Sequence, residues 1–507
     1  MVSGLLLSSL PSRAENKAPP TANPFQSPVN NFMAPSSSSV WRLAWPQMLM
    51  MLFLCLIGLS DVWAAGRLGR EVQAGMGMVN QALLFFLVPA IALANSMATA
   101  VSQSFGAGRH RRVQRFVGLG LRAEAAIALM CMGAGLLLLN PLTLLLGMND
   151  AIRPAGVYIL NIYLYALPSY YLLIAGNAVF RSLRQTALPL WVMMTVALLN
   201  LGGNLTLGLG LWNFPSFGYK GLAWSTFFSV TCGTVLVLLL LRKNGLLIQA
   251  APLPGKWSAV ALPYLFRVAW PSALNQLLWY AAFLMLFATA ASLPQGSMQA
   301  LAGMSAGMRV ESLLYLPAFA LGLTSSVIVG NSLNKLNVHQ ARNLGYRITL
   351  LGLGIISLPA ILLWFAAEPL AGFMASDPDT AGEAATFLKF SICAMPFLVV
   401  YMILGGAMAG AGATIYQLLV MGGTAWLIRI PLAWYLGHVH MQEATGIWWA
   451  MFISLVFQAL FMAYLFQTRD WPSFALGGRK KEAASLKHDR ADLTVGHACV
   501  SGSRQPA

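Results

Sequence analysis

Trp41-Arg42-Leu43-Ala44-Trp45-Pro46 opens an uncharged apolar run from Leu43 to Leu59, and Phe266-Arg267-Val268-Ala269-Trp270-Pro271 opens another from Val268 to Ala291. The repeated opening marks a duplicated unit. Each run is of the length that crosses a bilayer, for which about 20 apolar residues suffice. The first copy closes on a carboxylate, Asp61, and the second has none. A duplicated membrane unit with an acid in one copy is how a coupled transporter is expected to look, because an ion site need exist in only one half.

With 58% hydrophobic and 9% charged residues over 507 positions, and a mean hydropathy of +0.68, the chain has too few charges to cover a soluble surface. It reads as an all-α polytopic membrane protein. Twelve apolar stretches can be laid down, from Leu43–Ala64 to Gly446–Phe466. They predict two six-helix lobes around a central cleft, able to rock between inward-open and outward-open states. Six spans per unit is an even number, so both repeats start on the same side of the membrane and are parallel. Pro46 meets Pro271, Pro89 meets Pro317, and Val101-Ser102-Gln103 meets Val329-Gly330-Asn331, each time just before a basic loop. The expected plan is a disordered cytoplasmic extension over 1–39 and an N-terminal lobe over 40–243. A cytoplasmic inter-lobe linker over 244–262, containing Pro252, Pro254 and Gly255, leads to a C-terminal lobe over 263–467 and a disordered tail over 468–507.

A net charge of +16 invites a nucleic-acid reading, but its distribution argues otherwise. Arg109, Arg111, Arg112 and Arg115, then Arg181 and Arg184, then Arg242, Lys243, Lys256 and Arg267, then Lys335, Arg342 and Arg347 all fall in loops on one side. The opposite loops hold Arg67, Arg70, Arg153 and Lys220. This is the positive-inside asymmetry, which places both termini in the cytoplasm and leaves nucleic acid unnecessary as a partner. The five cysteines and six histidines show no metal-ligand or disulfide spacing, and no cofactor is expected. The expected surroundings are a cell membrane crossed many times, that of a bacterial inner membrane, with the lipid bilayer and a small-molecule substrate as partners and the chain working as a monomer.

The stretch Leu59-Ser60-Asp61-Val62-Trp63-Ala64-Ala65-Gly66-Arg67-Leu68-Gly69 resembles the first-helix signature of the multidrug and toxic compound extrusion (MATE) family. Val101-Ser102-Gln103-Ser104-Phe105-Gly106-Ala107-Gly108 resembles that family's close to helix two, and Leu199-Asn200-Leu201-Gly202-Gly203-Asn204-Leu205-Thr206-Leu207-Gly208 its helix-five segment. Arg309-Val310-Glu311-Ser312-Leu313-Leu314-Tyr315-Leu316-Pro317 and Arg429-Ile430-Pro431-Leu432-Ala433 continue the likeness, in order, from about Trp41 to Phe466. The resemblance implies a secondary antiporter that exports small amphiphilic or cationic organic compounds in exchange for H+ or Na+.

Ionisable groups inside a membrane are expensive and are functional candidates by default. Asp61, Glu124 and Glu311 qualify. Glu124 is expected to form an interfacial ion pair beside Arg122. Glu311 lies two residues from Arg309, a spacing at which helical neighbours do not face one another. It therefore takes another partner, Arg429 across the C-terminal lobe, or acts directly in transport. Asp61 has no basic neighbour within its helix turn, with Arg67 beyond a break at Gly66. Burial disfavours the charged form of a carboxylate, which suits proton exchange; the competing readings are a hard-cation site, with Asp61 as ligand to Na+, and a helix-end carboxylate exposed to water. By resemblance, Asn200, Asn204 and Thr226 join Asp61. Asn204 stands where many members have a second aspartate, so the site holds one formal charge, which favours H+ over Na+. The family's helix-seven glutamate has no counterpart in Asn275-Gln276-Leu277-Leu278-Trp279-Tyr280, and no second ion site is carried over to that lobe.

For the substrate cleft the candidates are Asn177, Asn275, Gln276, Tyr163, Tyr171 and Tyr280, since aromatic faces attract organic cations by about 0.5–2 kcal/mol each. Two other classes compete. A lipid-linked saccharide flippase or dedicated metabolite exporter of the same fold would want several intramembrane cations, and Arg309, Lys389 and Arg429 are the ones on offer. A membrane-embedded transferase would want a clustered acid, base or metal motif, and neither that nor a Walker-type phosphate loop is present.

Overall fold

The structure, a computed structural model, describes residues 37–247, 255–333, 338–374 and 377–476. The readings for residues 1–36, for Pro252 and Pro254, for Lys335 and for the tail beyond 476 lie outside the described residues. Among the described residues twelve helices are long and apolar enough to cross a membrane, and there is no strand. In the first half they are α1 (Ser37–Leu68), α2 (Arg70–Gly106), α3 (His110–Leu137), α4 (Arg153–Ser182), α5 (Ala187–Gly208) and α6 (Tyr219–Lys243). In the second they are α7 (Gly255–Ala291), α8 (Ser297–Ser332), α9 (Val338–Met374), α10 (Pro378–Gly410), α11 (Thr414–His440) and α12 (Ala444–Thr468). Lipid offers no partner to a bare N–H or C=O, so each segment must satisfy its backbone within a helix. Pro46 and Pro271, and Pro89 and Pro317, sit inside α1, α7, α2 and α8 as the repeat predicts, and Pro168 of α4 and Pro396 of α10 add a third pair.

Several boundaries differ from the sequence reading. α1 runs unbroken through Gly66 to Leu68, so Asp61 lies within a helix and not at its end. A short helix, Leu139–Leu145, occupies what was expected to be loop. The linker is shorter than expected, because residues 255–262 already belong to α7. Both described flanks contact α3: Gln114 donates to the Gly245 carbonyl at 2.7 Å, and Trp257 packs edge-on against Phe116 with Arg115 over its ring. The tail expected to be disordered from 468 begins with a 3-10 turn, Trp471–Phe474. Its order follows from burial of aromatic surface. Trp471 is fully buried against Phe466 with its indole N–H on the Phe466 carbonyl, and Arg267 lies over the Phe474 ring.

Between helices in lipid, association rests on close packing of small residues more than on water exclusion. Gly406 of α10 meets the Gly322 carbonyl of α8, and Gly410 meets that of Ser326, so closely that neither has room for a Cβ. One apolar cluster fills each lobe; Tyr163, Met76 and Leu222 belong to the first, and Phe387, Met395 and Trp448 to the second. Val40 and Ala44 of α1 pack into the second cluster, so the first turns of α1 lean on the opposite lobe.

The hydrogen bonds between the lobes gather toward the end that carries the basic loops, and one pair of them is mirrored. Gln103 of α2 donates to the Gly410 carbonyl at the end of α10 at 2.8 Å, and Asn331 of α8 donates to the Ser182 carbonyl at the end of α4 at 3.2 Å. The residue offset between Gln103 and Asn331 is the offset between Ser182 and Gly410. Ser96 of α2 holds the Leu265 carbonyl at 2.7 Å, and its repeat mate Thr324 of α8 accepts from Gln47 of α1 at 2.8 Å. Gly106 abuts the Asn331 carbonyl with no space for a side chain. Other contacts lie outside the symmetry: Thr99 donates to the Ala409 carbonyl at 3.0 Å, Ser102 to the Val327 carbonyl at 3.1 Å, and the Leu476 N–H of the C-terminal turn to Gln103 Oε1 at 2.7 Å.

Candidate functional site

Asp61 is 3% exposed and faces the interior of the first lobe. Asn200 and Asn204, one helical turn apart on α5, project from one face, and both side-chain amides donate to Asp61 Oδ1, at 3.0 and 2.7 Å. On the other oxygen, Oδ2 accepts from Tyr163 of α4 at 3.3 Å and from Thr226 of α6 at 3.4 Å. An outer ring ties these donors together. Asn200 Nδ2 reaches Thr226 Oγ1 at 3.1 Å, Ser60 donates to Asn200 Oδ1 at 2.9 Å, and Asn204 Nδ2 reaches Ser60 Oγ at 2.9 Å. From Asn204 to Gly208 the helix widens to a π-helix, a distortion often found at functional sites.

The carboxylate is held entirely by neutral donors. Arg67 is turned away, its guanidinium over the Trp63 ring. An anion here has hydrogen bonds but no counter-charge, an arrangement that a proton or a small cation would neutralise. The oxygens for either are present: Asn204 Oδ1 is buried without a partner, and with Asn200 Oδ1, Thr226 Oγ1 and the Tyr163 hydroxyl it offers the oxygen donors a hard cation takes. Among the described residues there is no cluster of three His, Cys, Asp or Glu side chains of the kind that holds a transition metal.

The cleft candidates separate. Tyr163 belongs to the Asp61 ring, and Tyr171, fully buried, donates to the Phe86 carbonyl at 2.6 Å within the lobe core; neither faces a cleft. Asn177 is buried on α4 with Oδ1 unpartnered. Asn275, Gln276 and Tyr280 are half-buried on α7. Tyr280 meets Phe85 of α2 across the lobe boundary with ring centroids 5.9 Å apart, and Trp279, Phe283 and Tyr315 extend this aromatic surface. Phe85 and Trp279 were missed because an aromatic inside an apolar span carries no sequence mark of the direction it faces. Ser60 was missed too, although a serine beside the acid in an apolar run was a usable signal.

Glu124 does not pair with Arg122. It is fully buried and both carboxyl oxygens lack hydrogen-bond partners, whereas Arg122 is exposed. An ionised group there would carry an uncompensated desolvation cost. Glu124→Gln, which keeps the shape and removes the charge, is therefore expected to melt no lower than wild type in detergent, while Glu124→Ala, which leaves a cavity, is expected to lose about 2–4 kcal/mol. Glu311 is half-buried and not in ion-pair contact with Arg429: among the described residues the one pair within 4.0 Å joins Lys389 and Glu368, at 2.7 Å. Arg429 is buried and donates through Nε to Ser454 at 2.7 Å.

A family profile described as MatE matches residues 46–206 and again 271–435, more than half of the chain. The two matches start on Pro46 and Pro271, the residues that set the repeat. A probable multidrug resistance protein NorM of Thermotoga maritima is 24% identical over 451 residues, covering 87% of this chain and 94% of its own. An FAD transporter of Shewanella oneidensis is 25% identical over 409 residues, covering 79% and 88%. In fold, a solved structure described as MATE in the bent conformation superposes with a TM-score of 0.79 at 17% identity, covering 89% of this chain and 98% of that one. The chain belongs to the MatE family and is a multi-pass membrane transporter of the MATE type.

Proposed function

We propose that the protein is a secondary active exporter in which ion exchange at Asp61 drives the outward movement of amphiphilic, aromatic or cationic organic compounds, in the inner membrane of a bacterium. The observation that carries this reading is the buried Asp61 ringed by neutral donors. Its charge is uncompensated, so the lobe's internal energy depends on whether a proton or cation is present, and a ligand with different affinity for two conformations shifts their balance. H+ is favoured over Na+, because one formal negative charge holds a hard cation less well than two. With the basic loops in the cytoplasm, the mirrored contacts of Gln103 and Asn331 close the cytoplasmic end. The surface of Phe85, Tyr280 and Trp279 supplies the aromatic faces that attract an organic cation.

The test is transport in proteoliposomes under independently imposed proton and sodium gradients, with a panel of cationic dyes and anionic metabolites. Uphill movement of a dye under a proton gradient in sodium-free buffer is expected. Movement that follows neither gradient would remove the antiport reading.

Export of an anionic metabolite is a second reading, favoured by Arg181. This side chain is 8% exposed, donates to Asn95 Oδ1 at 3.3 Å and, among the described residues, has no carboxylate in ion-pair contact. The similarity to an FAD transporter points the same way. The same panel decides between them, since Arg181→Gln should weaken transport of anions and leave dyes unaffected.

A further inference from the structure

The repeat can be carried to the level of single side chains, because close backbone approaches fix the register in both lobes. Gly75 of α2 abuts Gly156 of α4, and Gly303 of α8 abuts Ala384 of α10 in the same way. Gly221 of α6 abuts the Leu207 carbonyl of α5, and Gly446 of α12 that of Leu436 in α11. On these registers Ser391 falls where Tyr163 stands, Glu311 where Leu83 stands, and Arg429 where Asn200 stands. Asp61 itself is matched by Leu286, which is 1% exposed.

The place in the second lobe that mirrors the Asp61 ring is therefore not an ordinary apolar core. Glu311 and the buried Ser391 line one small pocket with Leu314, Leu388 and Ile392. Arg429, at the position that mirrors Asn200, is buried and anchored through Nε on Ser454. Ser454 lies one turn along α12 from the mirror of Thr226, and its own hydroxyl donates to the Met451 carbonyl at 2.8 Å. In the first lobe an amide of α5 bonds a hydroxyl of α6 beside a lone acid. In the second a guanidinium of α11 bonds a hydroxyl of α12, and the acid, Glu311, lines a pocket with Ser391, the mirror of Tyr163.

We propose that the second lobe holds a counterpart of the first lobe's ion site, with its negative charge moved from the first helix of the repeat to the second, at Glu311, and with the tethered guanidinium of Arg429 standing where an exchangeable cation would otherwise bind. A resident cation cannot leave, so this half does not exchange ions, and the chain is left with one exchangeable site per cycle. That count rests on the reading of Asp61 as the coupling site; the assignment of Arg429 to Glu311 does not.

The experiment removes the tether and asks whether a free cation takes its place. All proteins carry Asp61→Asn, so the outcome does not depend on whether Asp61 couples. Melting temperature in detergent is followed against added Na+. Asp61→Asn protein is expected to show no saturable response. Adding Arg429→Asn, which copies Asn200 into the second lobe, is expected to give a saturable rise of a few degrees, since a ligand of the folded state stabilises it, and adding Glu311→Gln is expected to abolish that rise. A folded Arg429→Asn protein with no Na+ response, or a response that survives Glu311→Gln, overturns the proposal. If Arg429→Asn protein does not fold, a double-mutant cycle in otherwise wild-type protein decides. Removing one of two opposite charges in an apolar lobe leaves the other uncompensated, so Glu311→Gln combined with Arg429→Gln should melt higher than either alone. Losses that simply add would show the two side chains to be independent and the proposal wrong.

Discussion

Gradient-driven export is expected to fall to the passive level in Asp61→Asn protein, with insertion and expression unchanged. Asparagine fills the volume of aspartate but neither binds nor releases a proton in the physiological range, and it brings no charge for a cation. It also turns one acceptor into a donor. Asp61 Oδ1 and Oδ2 together accept from Asn200, Asn204, Tyr163 and Thr226, so the variant brings N–H groups face to face or leaves one unpaired, at about 1–3 kcal/mol. A modest drop in melting temperature should accompany the loss of transport. Asn204→Asp is the companion variant. It places a second carboxylate in the ring and is expected to strengthen Na+ dependence, because ligand charge raises affinity for a hard cation. Asp61→Asn protein that reaches the membrane at normal levels and still exports uphill with unchanged ion stoichiometry would place coupling elsewhere.

Gly106→Ala is expected to be nearly as damaging by a different route. A Cβ there would collide with the Asn331 carbonyl oxygen, where the neighbour is backbone and cannot swing aside. The ends of α2 and α8 must then part, and Gln103 and Asn331 lose their reach to Gly410 and Ser182. The variant should populate states in which this end is open, and export should fall at least tenfold. A cysteine at Ser102, buried in the interface, reads the change directly: maleimide labelling should be slow in the parent and fast with Gly106→Ala. Gly118, with nothing within 4 Å of an added Cβ, is the control. A Gly106→Ala transporter that exports at the parent's rate would show that closure at this end is no part of the cycle.

The fold was legible because membrane spans are written in uninterrupted hydropathy and because Pro46 and Pro271 announce the repeat. Asp61 was legible for a related reason, since a lone acid in an apolar run has little to do there but function. Its amide partners were reached through resemblance alone. Which tyrosine of α4 would meet it was not legible: Tyr163 and Tyr171 are both buried aromatics on one helix, and only the packing of α4 against α2 and α6 tells them apart. Glu124 was misjudged because Arg122 is close in sequence, yet two residues along a helix point to different faces. The first residues of the tail were misjudged by averaging, since Trp471 and Phe474 are outnumbered by polar neighbours but bury enough aromatic surface to order their own turn.

The mirrored contacts at the basic-loop end have the form of an isologous interface, in which each side presents the same patch to the other. A half-length chain carrying one repeat would make this contact twice across a two-fold axis, and any substitution in it would be felt twice. Fusion into one polypeptide lifts that constraint. Glutamine on one side and asparagine on the other then do the same job with different reach, and an accessory contact such as that of Leu476 can attach to Gln103 without being duplicated on Asn331. The joined chain keeps the geometry of a dimer while being free to evolve a different chemistry in each half.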